Sequence, residues 1–512
     1  MEEDYTFPNA IVCNILNVLK AQVTTALLVA IVLIVIYKLF HKNESQKIPG
    51  PIGLPFLGYW PFLTKDPHLA LTRLAKKYGN FYGLYLGRKY AVVCNDYETV
   101  KEALGQTVAI TRPVGIFSPI PNGTGFGSAN VHDWSVQRRF CVKSMKDDGL
   151  GTGDEWEELL QEAIVEVISR LQSSQGRPID ADTVLGGTLT NIVMLKLFGY
   201  RLPYDEVQGI EETMTNAIEQ SPPLDPCIFL PAIVNKLFYP RKFIDRIKKL
   251  SDYVQKCIEE KAESKQNLEQ KKFVKGYFQK IQENKTMGLG NSFTDASLLR
   301  NTRTLIFGSR TTLKAFHWLL VAMAEYPEKQ FKVHQELDAV LGKDHVLDRY
   351  ADRTSVPYTF AAVLESMRWR TLVGINALRV FSEDTTLQGY KITKGTLLVT
   401  NFWAVHNDTR YWKNPELFEP ERFLTADEKS VIFKPESFIP FSVGPRDCSA
   451  KLMAISGMLL YFAAIMQKFK ILPEEEGIIV KEQYIGSNCA AVSRSVGKDK
   501  VKGVRLSFIA RD

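Results

Sequence analysis

Cys448 stands in the run Phe441-Ser442-Val443-Gly444-Pro445-Arg446-Asp447-Cys448-Ser449-Ala450, ahead of an apolar stretch from Leu452 to about Met466 that reads as a helix. A sulfur at a helix N-terminus meets the positive end of the helix dipole and free backbone N–H groups, both of which favour thiolate. Gly444 lets the backbone bend close to that sulfur. A thiolate in this setting suits an axial ligand of haem iron, a donor that promotes O–O cleavage. The plainer alternative is a structural cysteine beside a turn.

Four other constellations bear on the same chemistry. Glu365 and Arg368, in Leu364-Glu365-Ser366-Met367-Arg368, share a helix face at i, i+3 and can pair. Alone this spacing means little, but Phe418-Glu419-Pro420-Glu421-Arg422-Phe423 follows with a second arginine, Arg422. Trp134 and Arg138 share a face at i, i+4, and Arg379 lies in Leu378-Arg379-Val380-Phe381. Gly308, Thr311 and Thr312 fall inside a long helical pattern, Leu305-Ile306-Phe307-Gly308-Ser309-Arg310-Thr311-Thr312. A glycine there costs a helix about 1 kcal/mol against alanine and so wants a reason.

In this order and spacing the motifs resemble those of the cytochrome P-450 family. The cysteine run is similar to the haem signature Phe-x-x-Gly-x-Arg-x-Cys-x-Gly, with Ala450 in place of the last glycine. The resemblance runs from Pro49 to the C-terminus and is strongest to animal microsomal members. It implies heme b (iron protoporphyrin IX), with Cys448 as the axial iron ligand on a loop begun by Phe441. Trp134, Arg138, Arg379 and Arg446 would hold the propionates, since buried carboxylates need cationic or N–H partners. Glu365, Arg368 and Arg422 would form a buried charge network behind the haem. Gly308 would open a groove for dioxygen, and Thr311, followed by Thr312, would hold water for proton delivery.

The chain departs from the family pattern at three further places. Arg310 occupies the acidic position, and an arginine cannot relay a proton as a carboxylic acid does. Phe307 replaces a small residue. Thr371-Leu372-Val373-Gly374-Ile375-Asn376 replaces a proline-rich stretch. Candidate pocket residues, by position, are Val114, Ile116, Phe117, Ile120, Phe126, Phe307 and Val373, and their apolar character suits an apolar substrate.

The elements that must carry these residues are mainly helical. Helical periodicity marks Leu159–Leu171, Leu298–Met323 and Phe331–Leu341, and β-like pieces occur at Phe81–Leu86, Ala91–Cys94 and Leu397–Thr400. The expected architecture is a mainly α domain with small sheets, the cytochrome P-450 fold, spanning residues 56–512. Arg241–Lys285 reads as a solvated amphipathic helix and loop. The apolar run before it, Ile228–Tyr239, reads either as core or as a loop dipping into a membrane.

Ahead of the domain come a short segment (1–21), an apolar anchor (22–40) and a basic, proline-rich hinge (41–55). The anchor would span about 28 Å as a helix, near the roughly 30 Å hydrocarbon core. Glu2, Glu3 and Asp4 precede it and Lys38, Lys42 and Lys47 follow. The positive-inside rule then puts residues 1–21 in the lumen and the domain in the cytosol, as a single-pass protein of the endoplasmic reticulum. Asn122, Asn284 and Asn407, each in an Asn-x-Thr triplet, would then escape glycosylation. The seven scattered cysteines, none in C-x-x-C spacing, fit a reducing compartment. The net charge of +7 fits an anionic membrane or an acidic partner and gives no reason to expect nucleic acid.

The expected activity is insertion of one oxygen atom from dioxygen into a lipophilic molecule (xenobiotic, steroid-like or fatty-acid-like). Electrons would come from NADPH–cytochrome P-450 reductase, with cytochrome b5 as a second candidate partner. Arg139, Lys143, Lys146 and Lys451 could meet an acidic redox partner. Two alternatives stand beside this: a haem-thiolate enzyme that isomerises or dehydrates a peroxide without a reductase, and a non-catalytic haem-binding relative.

Overall fold

The computed structural model describes residues 7–40, 48–63, 66–113, 125–127, 131–151, 153–219, 224–231, 241–263, 272–287, 292–342, 345–433, 435–474, 479–485, 490–496, 501–502 and 504–511. Helix α1 runs Phe7–Phe40 and contains an apolar window, Asn17–Ile34, long enough to cross a membrane. It starts well before Gln22, because Ile11, Val12, Ile15 and Leu16 carry the apolar run toward the N-terminus.

The hinge is tied to the domain. Gly83 N–H donates to the Pro49 carbonyl at 2.9 Å, and Ile48 is buried. Gly50 lies so close to strand β1 (Phe81–Leu86) that a Cβ on it would sit 1.7 Å from the Gly83 oxygen. Helix α2 (Pro67–Tyr78) precedes β1, and β2 (Lys89–Cys94) returns antiparallel to it. Helices α3 (Tyr97–Gly105), α4 (Val131–Asp147), α5 (Asp154–Ser173), a short strand β3 (Ile179–Asp180), α6 (Thr188–Phe198) and α7 (Tyr204–Glu219) follow.

The polar stretch 241–285 forms two helices, α8 (Arg241–Glu263) and α9 (Lys272–Met287), with Val254, Cys257, Phe273, Tyr277 and Ile281 buried. Of the apolar run before it, Phe229 and Leu230 are core residues, and Phe229 lies 6.0 Å from the Trp60 ring. The residues after Pro231 in that run lie outside the described set.

Helix α10 (Asp295–Glu325) is the central beam. Thr294 opens it with a capping box: its Oγ1 accepts from Ser297 N–H at 3.1 Å, and its own N–H donates to Ser297 Oγ at 2.8 Å. Its C-terminal half is buried at Phe316, Trp318, Leu319, Leu320 and Met323, each worth about 1.5–3 kcal/mol of apolar burial. It packs on α6, on α12 (Pro357–Trp369, after α11, Pro327–Leu341) and on α14 (Lys451–Lys468), the helix that follows the cysteine loop. Both α12 and α14 are buried on nearly every face, as a core helix must be.

Strand β4 (Arg379–Val380) and β7 (Leu397–Thr400) complete the main sheet in the order β1-β2-β7-β4. β2 and β7 pair in parallel and β4 and β7 antiparallel. Between them β5 (Thr385–Leu387) and β6 (Tyr390–Ile392) form a hairpin, and the short α13 (Phe402–His406) follows β7. The result is a mainly helical domain with small sheets, and it brings β4, α4, α10 and the cysteine loop around one centre.

Candidate functional site

The cysteine loop is a closed turn. Cys448 N–H donates to the Phe441 carbonyl at 2.9 Å, and Asp447 N–H donates to the Gly444 carbonyl at 3.1 Å. Gly444 has φ +81°, and a Cβ there would lie 2.1 Å from the Leu104 oxygen at the end of α3, so only glycine fits. Ala450, the departure from the signature, has φ −106°, a conformation any residue adopts. Alanine therefore fits the loop there without backbone strain.

Cys448 is exposed on one side, where it lines a cleft of about 620 Å³ with Trp134, Arg138, Lys143 and Lys146 of α4. Burial on its other sides pushes the thiol above its ordinary range, helped by Asp447. The Ala450 N–H, Arg138 and Lys451 pull the other way. Left to the polypeptide the sulfur stays a thiol, and a metal cation at the sulfur would reverse that balance.

Above the loop four arginines converge. Arg446 donates to the Ile110 carbonyl at 2.7 Å and to the Phe126 carbonyl at 3.3 Å. The Trp134 ring lies between Arg446 and Arg138, 5.3 and 5.8 Å from their guanidinium carbons. Arg379 is buried, and its Nη1 has no hydrogen-bond partner among the described residues. Burial and the charges of Arg112, Arg446 and Arg138 hold Arg379 well below the ordinary arginine range. The same causes bring Arg446 down to about 8, and burial brings Arg112 down to about 10. Since guanidinium keeps its proton, these directions express a cluster that calls for anionic charge. The two propionates of haem b fit that demand in number and in chemistry.

Arg138 also has partners within the chain. Its guanidinium donates to the Asp447 carbonyl at 2.9 Å and to the Asp447 carboxylate at 2.7 Å, the nearest anion, and so clamps α4 to the cysteine loop. Arg112 escapes sequence reasoning. It reaches Arg379 because Val380 N–H donates to the Thr111 carbonyl at 2.9 Å, across a bridge between distant segments. The available signal was Thr111-Arg112-Pro113, where proline holds the preceding residue extended.

The structure brings Glu365, Arg368 and Arg422 together. Arg368 binds Glu365 through Nε and Nη2, both at 2.7 Å, and both side chains are fully buried. Arg422 Nε reaches the same carboxylate at 3.3 Å, and Glu419 N–H donates to it at 3.0 Å. Arg368 also donates to the carbonyls of His406, Pro415 and Leu417. Burial raises the Glu365 carboxyl, and the arginines and the Glu419 N–H oppose it. The two-pronged contact with Arg368 is a charge-assisted pair of bonds that offsets part of the cost of burying the carboxylate.

On α10, Thr311 is exposed while its neighbours Arg310 and Thr312 are buried. Thr311 Oγ1 donates to the Gly308 carbonyl at 2.8 Å, which leaves its lone pairs to accept from water. Among the described residues, no atom beyond the local helix backbone and the adjacent residues lies within 4 Å of where a Gly308 Cβ would stand, so the bare backbone fronts open space there. Arg310 points elsewhere than its sequence position suggested. It shares a face with Lys314 and His317; the charges of all three bear on Asp182, and those of Arg310 and Lys314 bear on Glu211 as well. His317 lies 2.9 Å from Asp182, and Lys314 also binds it. Burial alone would raise Asp182, but His317, Lys314 and Arg310 outweigh it and hold the carboxyl well below its usual range.

The cytochrome P-450 family profile matches residues 48–487. This chain belongs to the cytochrome P-450 family. It is 31% identical over 466 residues to mouse (Mus musculus) cytochrome P-450 2J5, covering 88% of this chain and 90% of that protein. Cytochrome P-450 2J1 of Oryctolagus cuniculus is 32% identical over 475 residues, covering 88% and 91%. Cytochrome P-450 2F2 of Mus musculus is 30% identical over 448 residues, covering 84% and 89%. The protein is thus a cytochrome P-450 monooxygenase that binds heme b through a cysteine thiolate.

Of the pocket residues expected for this P-450, Phe126 and Phe307 are partly buried and pack on one hydrophobic cluster with Val193, Leu197 and Ile306. Val373 is partly buried beside a fully buried Ile375, and the Trp403 N–H holds this turn through the Gly374 carbonyl at 3.0 Å. Val114, Ile116, Phe117 and Ile120 lie outside the described residues.

Proposed function

We propose that this P-450 inserts one oxygen atom into a C–H or C=C bond of a lipophilic substrate, the second atom leaving as water. Two electrons come from NADPH through the membrane-bound reductase, and two protons come from solvent. The observation that carries this reading is the pairing of the Cys448 loop with the arginine cluster around Arg379. One side offers a sulfur ligand and the other offers charge for two carboxylates. When bound, haem b supplies the oxygen-activating chemistry; the rest is the work of the chain.

In this reading Cys448 would supply the sulfur that holds the haem iron, and Gly444 and Phe441 shape the turn that presents it. Arg112, Arg379 and Arg446 take the propionates, with Trp134 stacked against Arg446. Arg138 holds Asp447 and thereby the angle of the cysteine loop. Glu365, Arg368 and Arg422 lock α12 to the segment that leads to that loop. Thr311 and Gly308 orient water at the α10 groove, and Thr311 passes its proton onward. Arg310 takes no part in that relay, because its charge is spent on Asp182 and Glu211. This favours the monooxygenase over the peroxide-rearranging alternative.

Arg139, Lys143 and Lys146 are exposed on α4 beside the Cys448 cleft, a basic face suited to an acidic redox partner. Helix α1 anchors the protein in the endoplasmic reticulum, with the domain on the cytosolic side.

The test uses purified haem-loaded protein, reductase, NADPH and isotopically labelled dioxygen over a panel of lipophilic compounds. One labelled oxygen atom per product molecule is expected. Product only from added organic hydroperoxides would overturn the reading. Cys448→Ala should abolish the thiolate haem spectrum, and Thr311→Ala should raise hydrogen peroxide released per NADPH consumed.

A further inference from the structure

The stretch of α10 that carries Gly308 and Thr311 is weakly supported on its open side. Gly308 loosens the helix there, and Gly308-Ser309 is the kind of pair at which helices bend. Two hydroxyls also turn back onto helix carbonyls. Ser309 Oγ donates to the Ile306 carbonyl at 2.7 Å, and Thr311 Oγ1 donates to the Gly308 carbonyl at 2.8 Å. Back-bonding of this kind competes with the backbone ladder and favours a bend. Beyond the helix itself and the adjacent residues, no described atom stiffens Gly308 from the open side. The angle of this turn is therefore set from behind.

Behind it lies a polar cluster drawn from four elements. Ser309 Oγ lies 2.8 Å from Thr190 Oγ1 of α6, and Thr190 Oγ1 donates to Glu211 Oε1 of α7 at 2.9 Å. Thr190, Ser309, Arg310 and Glu211 are all buried. Arg310, Lys314 and His317 follow at i, i+4 and i+7, one face of the helix, and α10 packs there on the turn Ala181–Thr183. Lys314 and His317 bind Asp182 of that turn. Arg310 lies one turn nearer to Gly308. Its Nε has no hydrogen-bond partner among the described residues, yet its charge lowers both Asp182 and Glu211. Two cations, Arg310 and Lys314, thus face two carboxylates in a largely buried site. A neutral residue at 310 would leave an excess of buried negative charge, and a shift of the helix is the way to relieve it.

We propose that Arg310 is a positioning residue for the oxygenation reaction: set between Asp182 and Glu211, it fixes the bend of α10 at Gly308-Ser309 and thereby the place of the Thr311 hydroxyl. The charge at this position is reversed from the family pattern because the partners behind it are themselves acidic. This rests on the oxygenase reading above and adds a residue that acts on the groove from outside it.

The test uses haem-loaded full-length protein in phospholipid nanodiscs. Hydrogen–deuterium exchange along α10 is read without NADPH. Hydrogen peroxide released per NADPH is read with reductase and the panel compound that yields most labelled product. Arg310→Gln should speed exchange at residues 306–312 by about tenfold, within the range of coupling between neighbouring groups, while residues 315–323 keep the wild-type rate. Peroxide per NADPH should rise with KM unchanged, because the Thr311 hydroxyl is displaced and the binding surface is not. Arg310→Lys keeps the charge and should stay near wild type in both readouts. Arg310→Gln with Glu211→Gln should recover most of the loss, since cation and carboxylate leave together. Arg310→Glu, which installs the family's acid, should be the worst of the set.

Wild-type exchange and peroxide in Arg310→Gln, a double variant no better than the single one, or improved coupling in Arg310→Glu would each overturn the proposal. Should Arg310→Gln unfold outright, the double variant decides: recovery of the fold and of slow local exchange upholds the proposal, and failure to recover overturns it. Exchange needs no electrons, so the expected local change without labelled product would sink only the oxygenase reading, and labelled product without that change would sink only this one.

Discussion

Replacing Glu365 by glutamine isolates the buried charge network. The side chain keeps its shape but loses its charge and one acceptor. Glu365 Oε1 accepts from Arg368, Arg422 and the Glu419 N–H, while Oε2 accepts from Arg368 Nε at 2.7 Å. If the glutamine oxygen takes the Oε1 place, its NH2 faces the Arg368 N–H, donor to donor. Flipping the amide exchanges that clash for three, with Arg368 Nη2, Arg422 Nε and the Glu419 N–H. Arg368 is fully buried and retains only carbonyls, so its charge is left without an anion. Such a loss costs about 3–5 kcal/mol, a large share of the 5–15 kcal/mol by which domains are typically stable. The assay is urea unfolding of haem-loaded protein, followed by tryptophan fluorescence and the haem band. Glu419→Gln is the control, because Glu419 is a third exposed and binds Arg422 at 2.7 Å near the surface, where a pair is worth about 0–1 kcal/mol. A Glu365→Gln loss no larger than that of Glu419→Gln would refute the argument that burial sets the magnitude.

Arg379→Gln should speed haem transfer to an acceptor protein by about tenfold or more, since it removes one charge-assisted contact to a propionate; an unchanged rate would place the propionates elsewhere. Gly444→Ala should lose about 3 kcal/mol or more, from left-handed backbone and a clash with the Leu104 carbonyl, read as a lower melting temperature and less bound haem; wild-type values would contradict that geometry. His406 is buried, with Nε2 accepting from Ile439 N–H at 3.1 Å and Nδ1 beside Thr371 Oγ1 at 3.0 Å, and burial holds it down to about 3. Its neutral form therefore adds stability above pH 6.5 that erodes as pH falls toward 3, by about 1 kcal/mol between pH 7 and 5.5. His406→Gln should flatten the pH dependence of the urea midpoint by that amount, and an unaltered slope would mean that His406 titrates freely.

What the sequence revealed about this fold depended on how close together the informative residues lie. The cysteine turn is contiguous, so its glycine, arginine and sulfur could be read directly. The helices Asp295–Glu325 and Lys451–Lys468 announced themselves by apolar periodicity. Arg112 could not be seen as a neighbour of Arg379, because a bridge at Thr111 and Val380 creates that proximity. The direction of Arg310 was hidden for a related reason. Its partners Asp182 and Glu211 come from other segments, so the local pattern showed a substitution without its context. The early start of α1 and the burial of Phe229 likewise depend on neighbours that periodicity does not name.

The bond between Gly83 and Pro49 has a practical corollary for making a shortened, membrane-free protein. Ile48 fills a core site, and Gly50 abuts the Gly83 backbone, so the folded unit begins at Ile48 and not at the first helix after the prolines. A cut within residues 41–47 removes the anchor and leaves that edge of the sheet whole. A cut placed after Pro51 would bare the Ile48 site and unfasten β1, and the shortened chain would be expected to aggregate even though every haem-facing residue is retained.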